Sequence, residues 1–560
     1  MLVSTVSVLA SSYYALGRIE EALSLREQVL DVHVSMYGYS NKLAYFYLLN
    51  VLQCYKDIGD EDKGVLLVRK ALDSFKNEKK QLSKVSIRYH LLEFQLLENS
   101  AESSSVIDRA QFIYMHARED FGALDPLAFS CHLQLATLLS KTKQKERCLA
   151  TMADAFNDFL KMSSPDEGLV KATFEALFAC NFSFFQCREA LDALLKLREI
   201  ENKAQNPTSL SAVTIEGRVI LCLSYLGLYK EALDLGSYLK NVTSPLDEAD
   251  PAKLSAIFSD NRVNLKGDIE SSISSFRSCI MILEKSGAKN FRSRELLRLF
   301  KTELTTALIQ VGKPIEAFPL ATILYENATS QKYFNLISRL VAASNLARCY
   351  IYLGKIDEAF TFCFNMLRET ADLVWSYKDS VISLNNSLVE CYILKGDFET
   401  ALGLAESNFM NATAIYNQTF GICLRSASLL IKTYLATGNY EKAGSLSEAT
   451  LSNVLSRYGS EHYFAIQAFD SLSRSYLALG KDIEALELAE KVVANSRFTF
   501  GEDSVKYLEH LLNFSACLIR SNRNQEALEK IAFASQKVRD LYGDHHYLLK
   551  YASQLSDSVS

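Results

Sequence analysis

Twelve cysteines, the adjacent pair His545-His546 and a single tryptophan, Trp375, are the residues of this 560-residue chain that invite a chemical reading first. Cysteines in that number point to disulfides or to zinc. Zinc needs CxxC pairs or mixed His/Cys clusters at ligand spacing, and the sequence holds neither. A glycine-rich phosphate loop, a GxSxG nucleophile turn and an HExxH helix are also absent from it. The sequence therefore predicts no enzyme, no metal site and no cofactor. His545-His546 reads as a solvated cap beyond the last structural element, and Trp375 as a packing residue. Free thiols in this number fit a reducing compartment. Asn411-Ala-Thr and Asn417-Gln-Thr are then chance matches to a glycosylation triplet.

The cysteines fall into order on a repeat. The phrase SLSRSYLALGKDIEALELAEKVV turns at Gly480, and its relatives turn at Gly354, Gly396, Gly438 and Asn522, a spacing of 42 each time. Cys54, Cys222, Cys349, Cys391 and Cys517 each lie five residues before such a turn, a register that suits a small side chain between packed helices. Around Gly480, Tyr476 stands four before and Ala485 five after. Ile466, Phe469, Leu472 and Tyr476 recur at helical spacing before the turn, and Ile483, Leu486, Ala489 and Val492 after it. Each unit is thus two helices of about 17 residues, about 26 Å long at the helical rise. Stepping the ruler along the chain gives turns at Gly17 and Gly59, degenerate ones near Ala101, Lys143 and Phe185, then Gly227, Gly267 and Gly312 before the regular series, thirteen in all. A fixed period of this size specifies an all-α, right-handed α-solenoid, in which one unit cannot bury its own core and stacking is obligatory.

Composition narrows the partners. Sixty basic against 66 acidic residues give a net charge of −6, without the basic footprint that nucleic acid requires. No run of 18 apolar residues exists to cross a bilayer, so neither membrane insertion nor nucleic-acid binding is expected, and a cytoplasmic location is. The opening MLVSTVSVLASSYYALG lacks the cationic leader of a secretory signal and sits in phase with the repeat through Tyr13, Gly17 and Ala22. Its first helix is about a turn short, which leads us to expect that the natural protein continues upstream.

Gly at the turn, Ala five later and Tyr four earlier resemble the tetratricopeptide repeat, whose usual period is about 34 residues. The longer period, with Tyr37-Gly38, Phe121-Gly122, Tyr458-Gly459, Phe500-Gly501 and Tyr542-Gly543 each 21 residues past a turn, is similar to the variant of kinesin light chains. The resemblance covers nearly the whole chain, but the heptad coiled coil that joins a light chain to its motor is missing. We divide the chain into N-terminal repeats (1–240), irregular repeats with a candidate bend (241–333), regular repeats (334–543) and a capping helix (544–560). Pro319, deep in a second helix, is expected to kink it.

The resemblance implies a concave face lined by the first helix of each repeat, with exposed positions about ten, nine and six residues before the turn. Those are Ser344, Asn386, Ser428 and Asp470, then Asn345, Ser387, Leu429 and Ser471, then Arg348, Glu390, Lys432 and Arg474. Cations one repeat apart can meet carboxylates of an acidic peptide. The same residues fit an ordinary solvated inner face, with Glu390 and Asp470 pairing the cations. Earlier in the chain Leu49, Leu91 and Leu133 make the ten-before position apolar, suited to a buried helix, an intramolecular segment or self-association. Two functions follow: a scaffold or adaptor that holds a protein or peptide partner in its groove, or the sensor or autoinhibitory array of a larger regulatory protein of the nucleotide-switch ATPase type whose effector lies upstream.

Overall fold

The structure, a computed structural model, describes residues 2–559 except 76–82, 98–102, 142–143, 163–164, 185, 203–205, 227, 265–268, 288–290, 330–335, 371–377, 417, 419–420 and 461. Trp375 and the turn residues Ala101, Lys143, Phe185, Gly227 and Gly267 lie outside the described residues. Twenty-seven helices and no strands are present among the described residues. They pair across the thirteen turns and leave one helix over. The first six repeats are α1 (Leu2–Ala15) with α2 (Ile19–Tyr37), α3 (Lys42–Ile58) with α4 (Glu61–Asp73), α5 (Lys84–Leu97) with α6 (Ser103–Phe121), α7 (Pro126–Lys141) with α8 (Lys145–Leu160), α9 (Glu167–Ser183) with α10 (Cys187–Asn202), and α11 (Leu210–Leu226) with α12 (Tyr229–Thr243). Next come α13 (Pro251–Asn264) with α14 (Ile269–Lys285), α15 (Phe291–Gln310) with α16 (Pro314–Thr329), and α17 (Leu336–Tyr352) with α18 (Ile356–Glu369). The last four are α19 (Lys378–Lys395) with α20 (Phe398–Ile415), α21 (Gly421–Ala436) with α22 (Tyr440–Tyr458), α23 (Tyr463–Ala478) with α24 (Asp482–Phe500), and α25 (Val505–Arg520) with α26 (Asn524–Tyr542). Helix α27 (Tyr547–Asp557) follows.

One backbone motif makes the turns. The residue after the turn donates its N–H to the carbonyl four residues before the turn, as in Lys481 to Tyr476 at 2.9 Å and Lys355 to Tyr350 at 2.9 Å. This is the Schellman closure of a helix C-terminus, which places the turn residue itself in the left-handed region. Two degenerate repeats keep it, Gln144 donating to Leu139 at 3.1 Å and Gln186 to Asn181 at 3.0 Å, as does the Gly227 turn, where Leu228 donates to Leu223 at 3.0 Å. Asn522, at φ 57°, is the one non-glycine residue at positive φ among the described residues. Asparagine tolerates that conformation better than other side chains, which explains why the last turn can dispense with glycine.

The position five after the turn is the tightest in the repeat. Ala22, Ala190, Ala232, Ala317, Ala359, Ala401, Ala443, Ala485 and Ala527 are all fully buried there, as are Val106, Cys148 and Ser272. At Gly64 an added Cβ would come within 3.1 Å of the Leu52 side chain. The cysteine register is likewise interior, and all twelve thiols are free and buried. A second recurrence joins neighbouring repeats: the tyrosine four before a turn donates its hydroxyl to a glutamate on the second helix of the preceding repeat. Tyr434 meets Glu406 at 2.9 Å and Tyr476 meets Glu448 at 3.0 Å, and Tyr55 pairs with Glu27 in the same way.

Pro319 does not end its helix, for α16 runs through it from Pro314 to Thr329. Its missing N–H removes one rung, and the Thr322 hydroxyl donates to the Phe318 carbonyl beside the gap at 2.9 Å.

The chain forms two compact units. Unit 1 comprises Met1–Val263, Ser275–Phe300 and Asn327–Leu336; unit 2 comprises Asn264–Ser274, Lys301–Glu326 and Ile337–Ser560. Unit 1 carries a core running through Phe94, Phe129, Leu138 and Met152, in which Leu133 is buried, whereas Leu49 stays exposed. Its fully buried carboxylate, Glu93, accepts from Arg69 and Arg109, both at 3.0 Å. Burial opposes that charge, but His90 and the two guanidiniums outweigh it and hold the acid at about 2.

If the left-handed turn limits the last repeat, Asn522→Gly should raise stability and Asn522→Ala should lower it, each by about 1 kcal/mol, as read from urea midpoints.

Candidate functional site

Unit 2 closes on itself. The turn between α15 and α16 meets the start of α25: the Gly312 carbonyl accepts from the Val505 N–H at 3.1 Å, and the Val311 carbonyl accepts from the Ser504 hydroxyl at 2.7 Å. One repeat on, the turn at Gly354 meets the start of α27, where the buried His546 caps the helix. Its Nδ1 accepts from the Leu548 N–H at 3.3 Å, which leaves Nε2 as the protonated nitrogen that donates to the Tyr352 carbonyl at 3.1 Å. The solvated cap expected at His545-His546 is thus true of His545 alone, because the solenoid returns on itself and covers its neighbour. Burial pushes the His546 imidazole down to about 4, with the Tyr352 carbonyl opposing.

These closures enclose a cavity of about 330 Å³ on the concave face, lined from α15, α17, α19, α21, α23 and α25. The first helices reach it because a stripe two, six, ten, thirteen and seventeen residues before each turn lies on one helical face. Of the residues read from sequence, Arg348, Asn386, Glu390, Ser428, Leu429, Lys432 and Asp470 line the cavity. Asn386 and Asp470 are buried at its edge, Asn386 donating to Ser426 at 2.9 Å and Asp470 accepting from Asn513 at 2.9 Å. Ser344 and Asn345 are not brought to it. Both are buried between helices, Ser344 sharing a hydrogen bond with Ser383 and Asn345 donating to Thr306 at 3.1 Å. Arg474 is half-buried outside the lining, near enough to act on Lys432 and Glu509.

Sequence reasoning stopped at ten before the turn and missed the rest of the stripe. Arg425 and Glu509 stand thirteen before their turns, and Lys506 sixteen before. The signal was available, since extending the spacing of three to four residues one more turn back along each first helix reaches them.

Charge in the cavity is partly paired. Arg425 reaches Glu390 at 3.3 Å and Lys432 reaches Glu509 at 2.7 Å. Burial opposes the Glu509 charge, but Lys432 and Arg474 outweigh it and hold the acid at about 2. Two cations remain without a carboxylate. Arg348 makes no hydrogen bond or ion pair among the described residues, and its Nε is buried without a partner. Lys506, only 8% exposed, has its ammonium 5.6 Å from the centre of the Phe500 ring. Burial and then the facing Arg348 push Lys506 down to about 7, against the pull of Glu509 and Glu390.

Unit 1 has an inner-face cavity of its own, about 550 Å³, lined in part by Leu133, Gln134, Glu175 and Arg218. Among the described residues no helix is long and apolar enough to cross a membrane, and no three His, Cys, Asp or Glu side chains gather as metal ligands.

Helix pairs joined by one turn motif at the described turns, one tight small-residue position and a concave face of first helices define a solenoid of tetratricopeptide-like repeats, the architecture of interaction scaffolds. The tetratricopeptide repeat family model matches residues 2–41, and solved repeat proteins are similar to the chain. One is a Podosopora anserina protein described as a kinesin light chain with nearly identical TPR-like repeats, 26% identical over 36% of this chain and 94% of its own, with a TM-score of 0.29. Another is the APC/C hetero-tetramer Cut9-Hcn1, 12% identical over 100% of this chain and 96% of that one, TM-score 0.42. A Rap protein in complex with Competence and Sporulation Factor is 13% identical over 78% of this chain and 100% of its own, TM-score 0.40. A comparison with curated proteins finds no match.

Two outcomes check this site. An added Cβ at Gly312 would meet the Ser504 Oγ at 2.4 Å and the Lys506 nitrogen at 3.1 Å, whereas at Gly438 it would meet nothing within 4 Å. Both glycines are left-handed, so Gly312→Ala should lower the urea midpoint well beyond Gly438→Ala. Lys506 binds its proton less tightly folded than unfolded, so its burial penalises the fold fully below about pH 7 and not at all above about 10.5. Lys506→Met should therefore be more stable than wild type below pH 7, with the advantage shrinking as pH rises, as measured by denaturation across that range.

Proposed function

We propose that this protein is a non-catalytic scaffold whose concave groove in unit 2 holds an extended acidic segment of a partner protein. The observation that carries the reading is the pair Arg348 and Lys506, two cations set in a partly enclosed cavity without carboxylates of their own. Buried charge is costly unless paired, so an unpaired pair facing open space favours an anionic occupant. Arg474, beyond the cavity edge, extends the positive character along the groove, while Lys432 is already committed to Glu509. Polar residues from six successive first helices supply donors and acceptors for an extended backbone. The location we propose is cytoplasmic, where the twelve buried thiols stay reduced.

Fluorescent peptides of matched length, Asp/Glu-rich, neutral and Lys-rich, titrated into the full chain provide the test. The acidic series should bind, weaken with added salt, and lose about tenfold or more in affinity to Arg348→Glu with Arg474→Glu. Equal binding of all three series, or no effect of the double substitution in a folded protein, would overturn the proposal.

A further inference from the structure

Within the groove one place asks for more charge than a single carboxylate carries. Arg425 and Lys432 each have a glutamate, at 3.3 Å and 2.7 Å, and Asp470 is taken by Asn513 at 2.9 Å. Arg348 and Lys506 have none. They approach each other closely enough for Arg348 to be the strongest charge opposing protonation of the lysine. They come from helices four repeats apart, α17 and α25, and are brought together by the closure at Gly312 and Ser504. His510, buried on the same wall, also leaves its Nδ1 without a partner. The result is a built polar site rather than a surface patch. It offers a planar guanidinium, the ammonium of a lysine only 8% exposed and an imidazole nitrogen around one space.

We infer that this space takes the phosphoryl dianion of a phosphorylated side chain on the acidic segment, an inference that rests on the peptide reading above. A dianion neutralises both unpaired cations at one point, where a carboxylate leaves one uncompensated. Arginine can give it two parallel N–H donors and lysine a third. The cavity volume, about 330 Å³, is of the size that small-ligand pockets have and leaves room for a phosphorylated side chain. Binding should also change the protonation of Lys506. The groups that face it are Arg348, Arg425, Glu390, Glu509 and His510, and burial first, then the arginines, keep its proton loosely held until an anion arrives. A phosphoryl group replaces that repulsion by attraction, so the site takes up a proton as it fills above about pH 7.

The experiment uses the full chain with four probes: an acidic peptide, the same peptide carrying phosphoserine, N-acetyl-phosphoserine methylamide, and inorganic phosphate. Calorimetry in buffers of different ionisation enthalpy reads affinity and proton uptake together. The phosphopeptide should bind about tenfold or more tightly than its unphosphorylated twin, with proton uptake above pH 7. Lys506→Met and Arg348→Gln should each remove that increment, and Lys506→Met should also abolish the proton uptake. The methionine variant loses a buried charge and is expected to fold; Lys550→Gln, on an exposed side chain of α27, should change nothing. Equal affinity of the two peptides overturns the phosphoryl site and leaves the groove reading standing. Binding of phosphate and the phosphoserine amide with no gain from the peptide overturns the peptide-borne assignment in favour of a free phosphate ester. An increment that survives Lys506→Met places the phosphoryl group elsewhere and overturns the inference, and silence of all four probes sinks both readings.

Discussion

Everything in this structure depends on how closely two helices can approach five residues past each turn. With alanine, glycine, cysteine or serine there in all repeats but one, where Val106 stands, the second helix lies against the first. A larger side chain would hold the helices apart and open a void that the next repeat could not fill. Ala485 and its equivalents are fully buried for this reason, and the thiols five before the turn share the same seam. Stacking then follows from necessity, since each pair exposes an apolar flank that only another pair can cover.

Polar groups are placed where the stacking leaves gaps. The hydrogen bond from the tyrosine four before a turn to a glutamate in the preceding repeat recurs at three junctions and ties them in register. Interior networks do the same between helices: Asn408 of α20 donates to Asn386 of α19 at 2.7 Å, and Asn386 to Ser426 of α21 at 2.9 Å. Buried amides with satisfied partners specify one packing because any slip leaves them unpaired. That is why Ser344 and Asn345, polar and one repeat in phase with groove residues, serve the stack rather than a ligand.

Closure of unit 2 turns the repeat into a site. A solenoid of identical steps offers a long, even groove, whereas the contacts at Gly312 with Ser504 and at Tyr352 with His546 bring residues about 193 apart in sequence within hydrogen-bonding distance. Two turn glycines are thereby used twice, once for a left-handed backbone and once for the close approach of another helix start. The enclosed wall collects charges from helices that never pack side by side. The pairing of Lys432 with Glu509, 77 residues away, is of that kind, as is the confrontation of Arg348 with Lys506.

The sequence by itself determined the repeat: its period, the helix pair, the turn residue and the small residue after it, the buried cysteines and the glycine that ends the second helices at Gly38, Gly459, Gly501 and Gly543. These are local, because a period and a helical face are fixed by residues within one or two turns of each other. It also places Arg348, Glu390 and Lys432 on the inner face with Glu390 and Asp470 as partners of the cations, whereas Glu390 pairs with Arg425, Lys432 with Glu509, and Asp470 accepts from Asn513. What tertiary structure decided is how the repeats curve and therefore which distant residues share a space. Curvature accumulates from small rotations at every interface, so a slight change in side-chain volume along the stack alters which helices meet after several repeats. No local pattern marks Ser504, Lys506 or His546 as partners of the turns at Gly312 and Gly354, because the contact exists only after the intervening helices have packed.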